Sequence, residues 1–225
     1  MKVVIAGDSW SQGEWAMYNG EYKNSHRGLE KYLLDAGHNV VNVGRGGNTN
    51  NQSLELLENE LVSYTYDYCI FFFTDALRQI SQDELLRDEP YTIIQSHIKY
   101  VVDKLNYLVD KFQFKLIVVG GNAEFNPIDK LNSTYIVTNM ISLLDLNFIK
   151  LPFSQSAEWV NLLSACSEDL ALSIEQKKQW SEIISSTSKI LDQRKNSSWF
   201  ADGNHPDRNA HRVLFDHLVA VINLH

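Results

Sequence analysis

Lys2-Val3-Val4-Ile5-Ala6-Gly7-Asp8-Ser9-Trp10 is the stretch from which the rest of the chain is read. Val3 to Ala6 is an apolar, β-branched run headed by Lys2, which predicts a strand buried on both faces. Gly7-Asp8-Ser9 ends the run, and Ser11-Gln12-Gly13 continues as turn material. A serine at the carboxyl end of a buried strand stands where open α/β sheets place their ligands. A helix starting there surrounds the hydroxyl with backbone N–H groups and the positive end of the helix dipole. Such a serine suits nucleophilic chemistry. It then needs a histidine base, a carboxylate to orient that base, and donors for an oxyanion.

Outward from this strand, buried runs alternate with amphipathic segments. A loop is expected through Tyr22, then a helix capped by Asn24 or Ser25, with Leu29, Tyr32, Leu33 and Ala36 on its apolar face and Gly37 as its stop. Asn39–Val43 reads as the second strand and runs into Gly44-Arg45-Gly46-Gly47-Asn48-Thr49-Asn50-Asn51, a loop whose glycines permit close approach of backbone N–H groups. A helix is expected over 52–64 and a third strand over Asp67–Phe73, ending at Thr74-Asp75. A long helix over 91–111 and a fourth strand over Lys115–Val119, closed by Gly120-Gly121-Asn122, come next. The pattern then predicts a helix over 128–144, a short fifth strand over 146–151, a helix over 174–191 and a closing helix over 206–224. Strand–helix alternation implies βαβ units and a parallel sheet covered on both faces. We read 1–225 as one domain, with 153–200 as a helical insertion or lid in which Trp159, Trp180 and Trp199 pack.

Composition narrows the function. The net charge is −8 at pH 7, and no basic cluster exists to displace counterions from a nucleic-acid backbone. Cys69 lies in an apolar run and reads as a core residue. Cys69 and Cys166 are far apart and have no metal-ligand spacing. No apolar stretch approaches bilayer length, and the run after Lys2 is too short for a signal peptide. The expectation is a cytoplasmic or virion-associated protein that needs no cofactor and no metal.

Near the carboxyl end stands Asp202-Gly203-Asn204-His205-Pro206. One tight turn presents the imidazole outward with a carboxylate behind it, and such a carboxylate fixes the tautomer and stabilises the imidazolium formed on taking a serine proton. Gly7-Asp8-Ser9, Asn42-Val43-Gly44-Arg45-Gly46-Gly47-Asn48-Thr49 and Asp202-Gly203-Asn204-His205-Pro206, in this order, resemble the blocks of the SGNH hydrolases, also called GDSL-like lipases and esterases. The resemblance implies a flavodoxin-like three-layer α/β/α sandwich and hydrolysis of small acyl esters, including O-acetyl groups on carbohydrate. It implies Ser9 as nucleophile, His205 as base and Asp202 as its orienter, with the N–H groups of Ser9 and Gly47 as oxyanion donors. Gly13-Glu14-Trp15 and His26-Arg27-Gly28-Leu29-Glu30 also resemble stretches of phage-borne SGNH-like proteins. One block departs: Thr74 stands where the family has an asparagine that donates to the oxyanion. A threonine hydroxyl offers one donor of shorter reach, so Thr74 is the expected third member of the oxyanion hole, and its presence opens a rival reading as a catalytically impaired binding or particle-associated module. Asp8, Trp10, Arg45, Asn48, Asp75 and Asn122 are the candidate substrate contacts, with Asp75 equally readable as a structural cap.

Overall fold

The computed structural model describes residues 1–79, 90–121, 125, 136–144, 172–200 and 202–222. In chain order the first elements are β1 (Lys2–Ala6), α1 (Ser9–Gln12), β2 (Glu14–Tyr18), β3 (Glu21–His26), α2 (Gly28–Asp35), β4 (Asn39–Asn42), α3 (Asn50–Ser63) and β5 (Tyr68–Phe73). After a 3-10 turn at Ala76–Gln79 come α4 (Pro90–Phe112), β6 (Lys115–Gly120), β7 (Ile136–Asn139), α5 (Met140–Leu143), α6 (Ile174–Lys195) and α7 (Arg208–Ile222). Five strands form one parallel sheet in the order β4-β1-β5-β6-β7. Counted along the chain within that sheet, the order is 2-1-3-4-5, the flavodoxin-like doubly wound arrangement.

Side-chain parity builds the layers. Val3 and Ile5 of β1, Ile70 and Phe72 of β5, and Ile117 and Val119 of β6 share one core with Leu29 and Leu33 of α2 and Leu214 and Leu218 of α7. The alternate residues Val4, Ala6, Cys69, Phe71, Phe73, Leu116 and Val118 meet Leu54, Leu57 and Leu61 of α3 and Val101, Leu105 and Leu108 of α4. Successive residues of a strand point to opposite faces, so continuous apolar runs require helices on both sides. The result is the expected α/β/α sandwich. Cys69 is fully buried in the second core, and burial pushes its thiol up; Cys166 lies outside the described residues.

Three expectations change. The predicted loop before Tyr22 contains an antiparallel hairpin, β2–β3, closed by Asn19-Gly20 with φ of 52° and 82°. Positive φ at both central residues matches the right-handed twist of a two-residue hairpin. Asn24 and Ser25 therefore lie in β3 and do not cap α2. Their side chains stitch the hairpin instead, Asn24 Nδ2 donating to the Gln12 carbonyl at 2.7 Å and Ser25 Oγ to Glu14 Oε1 at 3.0 Å. Of the helix expected over 128–144, residues 128–135 lie outside the described residues, Met140–Leu143 is helical, and 136–139 form strand β7, where Ile136-Val137-Thr138 are β-branched residues that pair well on a sheet. The strand expected over 146–151 lies outside the described residues, as do Trp159 and much of the expected lid.

The described part of that segment is helix α6, started by a capping box between Ser173 and Gln176. Trp180 and Ile183 bury against Ile93 and Ile94 of α4. Among the described residues no helix is long and apolar enough to cross a membrane, and no group of three or more His, Cys, Asp or Glu could hold a metal ion.

Candidate active site

Ser9 is positioned by what surrounds its neighbours. Asp8 caps α1, its Oδ1 accepting the Trp10 N–H at 3.0 Å, and Ser9 is the first helical residue. Ser11 Oγ donates back to the Asp8 carbonyl at 2.6 Å. The glycine loop after β4 docks directly on α1: the Arg45 N–H donates to the Gly7 carbonyl at 3.1 Å, Gln12 Nε2 to the Gly44 carbonyl at 3.1 Å, and Asn42 Nδ2 to the Ser11 carbonyl at 2.8 Å. The turn Arg45–Asn48 closes with the Asn48 N–H donating to the Arg45 carbonyl at 3.2 Å. Gly47 takes its third position at φ 79°, where a type II turn requires glycine. Gly47 is exposed.

The turn between α6 and α7 brings the imidazole. Asp202 Oδ1 accepts the N–H groups of Asn204 at 2.9 Å and His205 at 2.6 Å, which folds the turn around the carboxylate. Asp202 Oδ2 lies 2.6 Å from His205 Nδ1, and His205 Nε2 lies 3.0 Å from Ser9 Oγ. Burial alone would raise the Asp202 carboxyl; the hydrogen bonds from His205, Tyr22 and Asn204 outweigh it and hold it well below the usual carboxylate range. Asp202 is therefore ionised at neutral pH and faces Nδ1 as an acceptor, which leaves Nε2 facing the serine hydroxyl. Asp207 then caps α7 through its Oδ1 and the Ala210 N–H at 2.8 Å, so Pro206 precedes the cap.

The hairpin completes the surroundings, and sequence reasoning missed it. Tyr22 of β3 donates its hydroxyl to Asp202 Oδ2 at 2.7 Å. Trp15 of β2 donates Nε1 to the Ser9 carbonyl at 3.1 Å and lies 5.8 Å, centroid to centroid, from the His205 ring. At the hairpin base Glu14 is clamped by Arg208: Oε2 accepts from its backbone N–H and Nε, both at 2.8 Å, and Oε1 from Nη2 at 3.0 Å. The Arg208 guanidinium draws the Glu14 carboxyl down to about 2. The available signal was Asn19-Gly20 between Trp15-Ala16-Met17-Tyr18 and Tyr22, a two-residue hairpin turn flanked by aromatic residues.

Several expected site residues do other work. The Thr74 hydroxyl is fully buried and donates to Asp8 Oδ2 at 2.6 Å. Its one proton is given to Asp8, so the structure does not place Thr74 as the free oxyanion donor expected from the sequence. Asp8 is also buried, takes Arg78 Nη1 at 3.2 Å, and faces inward instead of toward a ligand. Trp10 is 1% exposed; its ring packs at a tilt against Phe200 and under the Arg194 guanidinium, so the structure places it in the core and not at the surface as a substrate contact. Burial pushes Arg194 down to about 9. Asp75 is fully buried, so it also drops out as a contact. Arg45 is exposed at the glycine turn. Asn48 is nearly buried and its carbonyl accepts from Arg78 Nη1 at 3.3 Å. Asn122 lies outside the described residues.

Three sequence blocks far apart in the chain thus meet at the carboxyl edge of a 2-1-3-4-5 parallel sheet. The fold is the flavodoxin-like doubly wound α/β arrangement. No protein-family model matches the sequence, and no curated protein matches it. Solved structures do resemble it. They include the psychrotrophic esterase EstA from Pseudoalteromonas sp., at 15% identity over 99% of this chain and 96% of that one, with a TM-score of 0.46. An acetylxylan esterase from Geobacillus stearothermophilus aligns at 13% identity over 97% and 92%, with a TM-score of 0.43. A lipase/acylhydrolase from Enterococcus faecalis aligns at 14% identity over 98% and 94%, also with a TM-score of 0.43.

Proposed function

We propose that the protein is a serine ester hydrolase in which Ser9, His205 and Asp202 form the catalytic triad. The observation that carries this is the continuous chain from Asp202 Oδ2 to His205 Nδ1 at 2.6 Å and from His205 Nε2 to Ser9 Oγ at 3.0 Å. Ser9 Oγ attacks the ester carbonyl as His205 Nε2 takes its proton, and the imidazolium is stabilised by Asp202. The N–H groups of Ser9 and Gly47 hold the oxyanion. Collapse of the tetrahedral intermediate breaks the ester C–O bond, and the leaving alcohol receives the proton from His205. Water, deprotonated by the same imidazole, then attacks the acyl-enzyme, and Ser9 recovers its proton as the acid departs. No step calls on a cofactor.

The substrate we favour carries a small acyl group, such as acetyl, on a carbohydrate. Trp15 and Tyr22 beside His205 support it, because aromatic faces pack on the apolar faces of sugar rings. Treatment with a fluorophosphonate, followed by peptide mapping, tests the mechanism. The adduct is expected on Ser9 and is expected to vanish in Ser9→Ala and His205→Ala. A folded wild-type sample that takes no label, or takes it elsewhere, sinks the reading.

One observation favours a rival. With the Thr74 hydroxyl spent on Asp8, position 74 supplies no third oxyanion donor, and one lost donor typically costs about 10²–10³ in turnover. A non-catalytic module for binding glycan or protein accommodates this. It requires saturable binding that Ser9→Ala leaves intact and no Ser9-dependent hydrolysis of short-chain esters or acetylated polysaccharide.

A further inference from the structure

We infer that Tyr22 is a positioning residue of the triad, sharing Asp202 Oδ2 with His205 and thereby setting how strongly the carboxylate holds the imidazole. The geometry is specific. The Tyr22 hydroxyl and His205 Nδ1 approach the same oxygen, at 2.7 and 2.6 Å, while Oδ1 is occupied by the N–H groups of Asn204 and His205. Among the described residues, every donor on this carboxylate except Tyr22 comes from its own turn. Tyr22 comes from the hairpin, 180 residues away, and its ring centroid is 5.8 Å from that of His205.

Two further contacts keep the hairpin in register with the turn. Glu14, at the start of β2, is clamped to Arg208 three residues beyond His205. Trp15 spans the gap on the other side, bonded through Nε1 to the Ser9 carbonyl. The crossing at the hairpin base is closed by glycines: Gly28 sits at φ 52°, where a Cβ would stand 2.8 Å from the Gly13 Cα and 2.7 Å from the His211 ring. The hairpin is thus tied to both partners of His205, and Tyr22 is its point of contact with the acid.

The phenol is suited to the role. Burial and the Asp202 carboxylate push it up to about 12, so it remains a donor throughout the working range. A donor on Oδ2 draws charge away from the imidazolium that the same oxygen must stabilise. Without it, Asp202 gives its full charge to His205 but loses the bond that fixes its plane. Among the described residues, the groups facing His205 are Asp202 from its own turn, Ser9 from α1, Trp15 from β2 and Tyr22 from β3, with the Glu14–Arg208 ion pair beyond. Tyr22→Phe changes one of these and keeps the ring.

With Ser9, His205 and Asp202 read as the reacting residues, two readouts separate the claims. The first follows the His205 ring by NMR across pH in the full chain and needs no turnover. Tyr22→Phe is expected to move the imidazole midpoint upward by about half a pH unit or more, whereas Tyr18→Phe, an exposed tyrosine on the next strand, leaves it in place. The second is the pH dependence of fluorophosphonate labelling, whose acid limb is expected to move upward with the midpoint, with a several-fold slower plateau. In an Asp202→Asn background Tyr22→Phe is expected to shift nothing further. An unmoved or lowered midpoint in Tyr22→Phe overturns the inference. A moved midpoint in a wild-type protein that takes no label upholds the Tyr22–Asp202–His205 linkage and removes the hydrolase reading instead.

Discussion

Lowering the pH from 7.5 to 5 is expected to cost this protein about 2 kcal/mol of stability through His211 alone. His211 is fully buried on α7, and burial pushes its imidazole from 6.5 down to about 3. It is neutral in the folded chain, whereas the unfolded chain protonates it near pH 6.5. The unfolded state therefore binds more protons between these values, and stability rises with pH there. The full contribution is present above pH 6.5 and is lost as pH falls toward 3. Integrating between pH 7.5 and 5 gives about 2 kcal/mol, or about 4–8 °C in Tm for a chain of this size. His26, also lowered by burial, adds in the same sense. The depressed carboxylates of Glu14 and Asp202 act mainly below this window, since their unfolded values are 4.5 and 3.8. Urea unfolding at pH 7.5 and 5, followed by tryptophan fluorescence, measures the loss, and His211→Leu isolates the His211 share. The variant is expected to lose the His211 share of that slope and to keep the remainder. A pH slope identical in wild type and His211→Leu would refute the reasoning, whatever the variant's absolute stability.

Two other outcomes follow from single contacts. Thr74→Val keeps the shape at a fully buried position and removes the donor to Asp8. It is expected to lower stability by about 1.5–3 kcal/mol, the range for a hydrogen bond to a charged group, while slowing Ser9 labelling far less than the roughly 10²–10³ of a lost oxyanion donor; a rate loss of that size at unchanged Tm would return Thr74 to the oxyanion hole. Gly28→Ala forces a side chain into a left-handed conformation against the His211 ring and is expected to cost at least about 1–2 kcal/mol and to slow labelling, because it lifts the hairpin from Asp202; calorimetry and labelling rates that match wild type would show that the crossing tolerates a Cβ.

The legible parts of the site are those whose backbone is dictated by composition. Gly7-Asp8-Ser9 follows a buried run, Gly46-Gly47 supplies the left-handed turn position, and Asp202 to His205 is a self-contained Asx turn. Each is local, so spacing and residue type predict its shape. Periodicity likewise located β1, β5 and β6, because these strands are apolar on both faces, while the edge strand β4 showed in its β-branched Val40-Val41 pair. The hairpin was lost for the opposite reason. Met17, Tyr18 and Tyr22 are exposed, so β2–β3 carries little alternation, and its stability comes from cross-strand pairs and distant clamps. Strand β7 was lost because 136–139 is short and joins directly to helix α5, so one apolar run served two elements.

Position 74 shows most clearly what sequence patterning leaves out. Read along the chain, a threonine at the end of β5 is a weakened version of an amide donor. In the fold, 66 residues of separation close to 2.6 Å, and the threonine is matched to Asp8. That carboxylate is buried and needs donors for each oxygen. The Trp10 N–H serves Oδ1, and Thr74 with Arg78 serves Oδ2. A hydroxyl is short enough to reach Asp8 and has no second proton for a ligand. The Thr74 hydroxyl therefore holds the cap on which Ser9 sits. In the mechanism we propose, oxyanion binding would rest on the backbone N–H groups of Ser9 and Gly47, next to the Asp8 cap and within the Gly47 turn. On this account rate should respond more to Gly47, which holds its N–H at φ 79°, than to Thr74. That ordering is the reverse of what a lost side-chain donor alone implies.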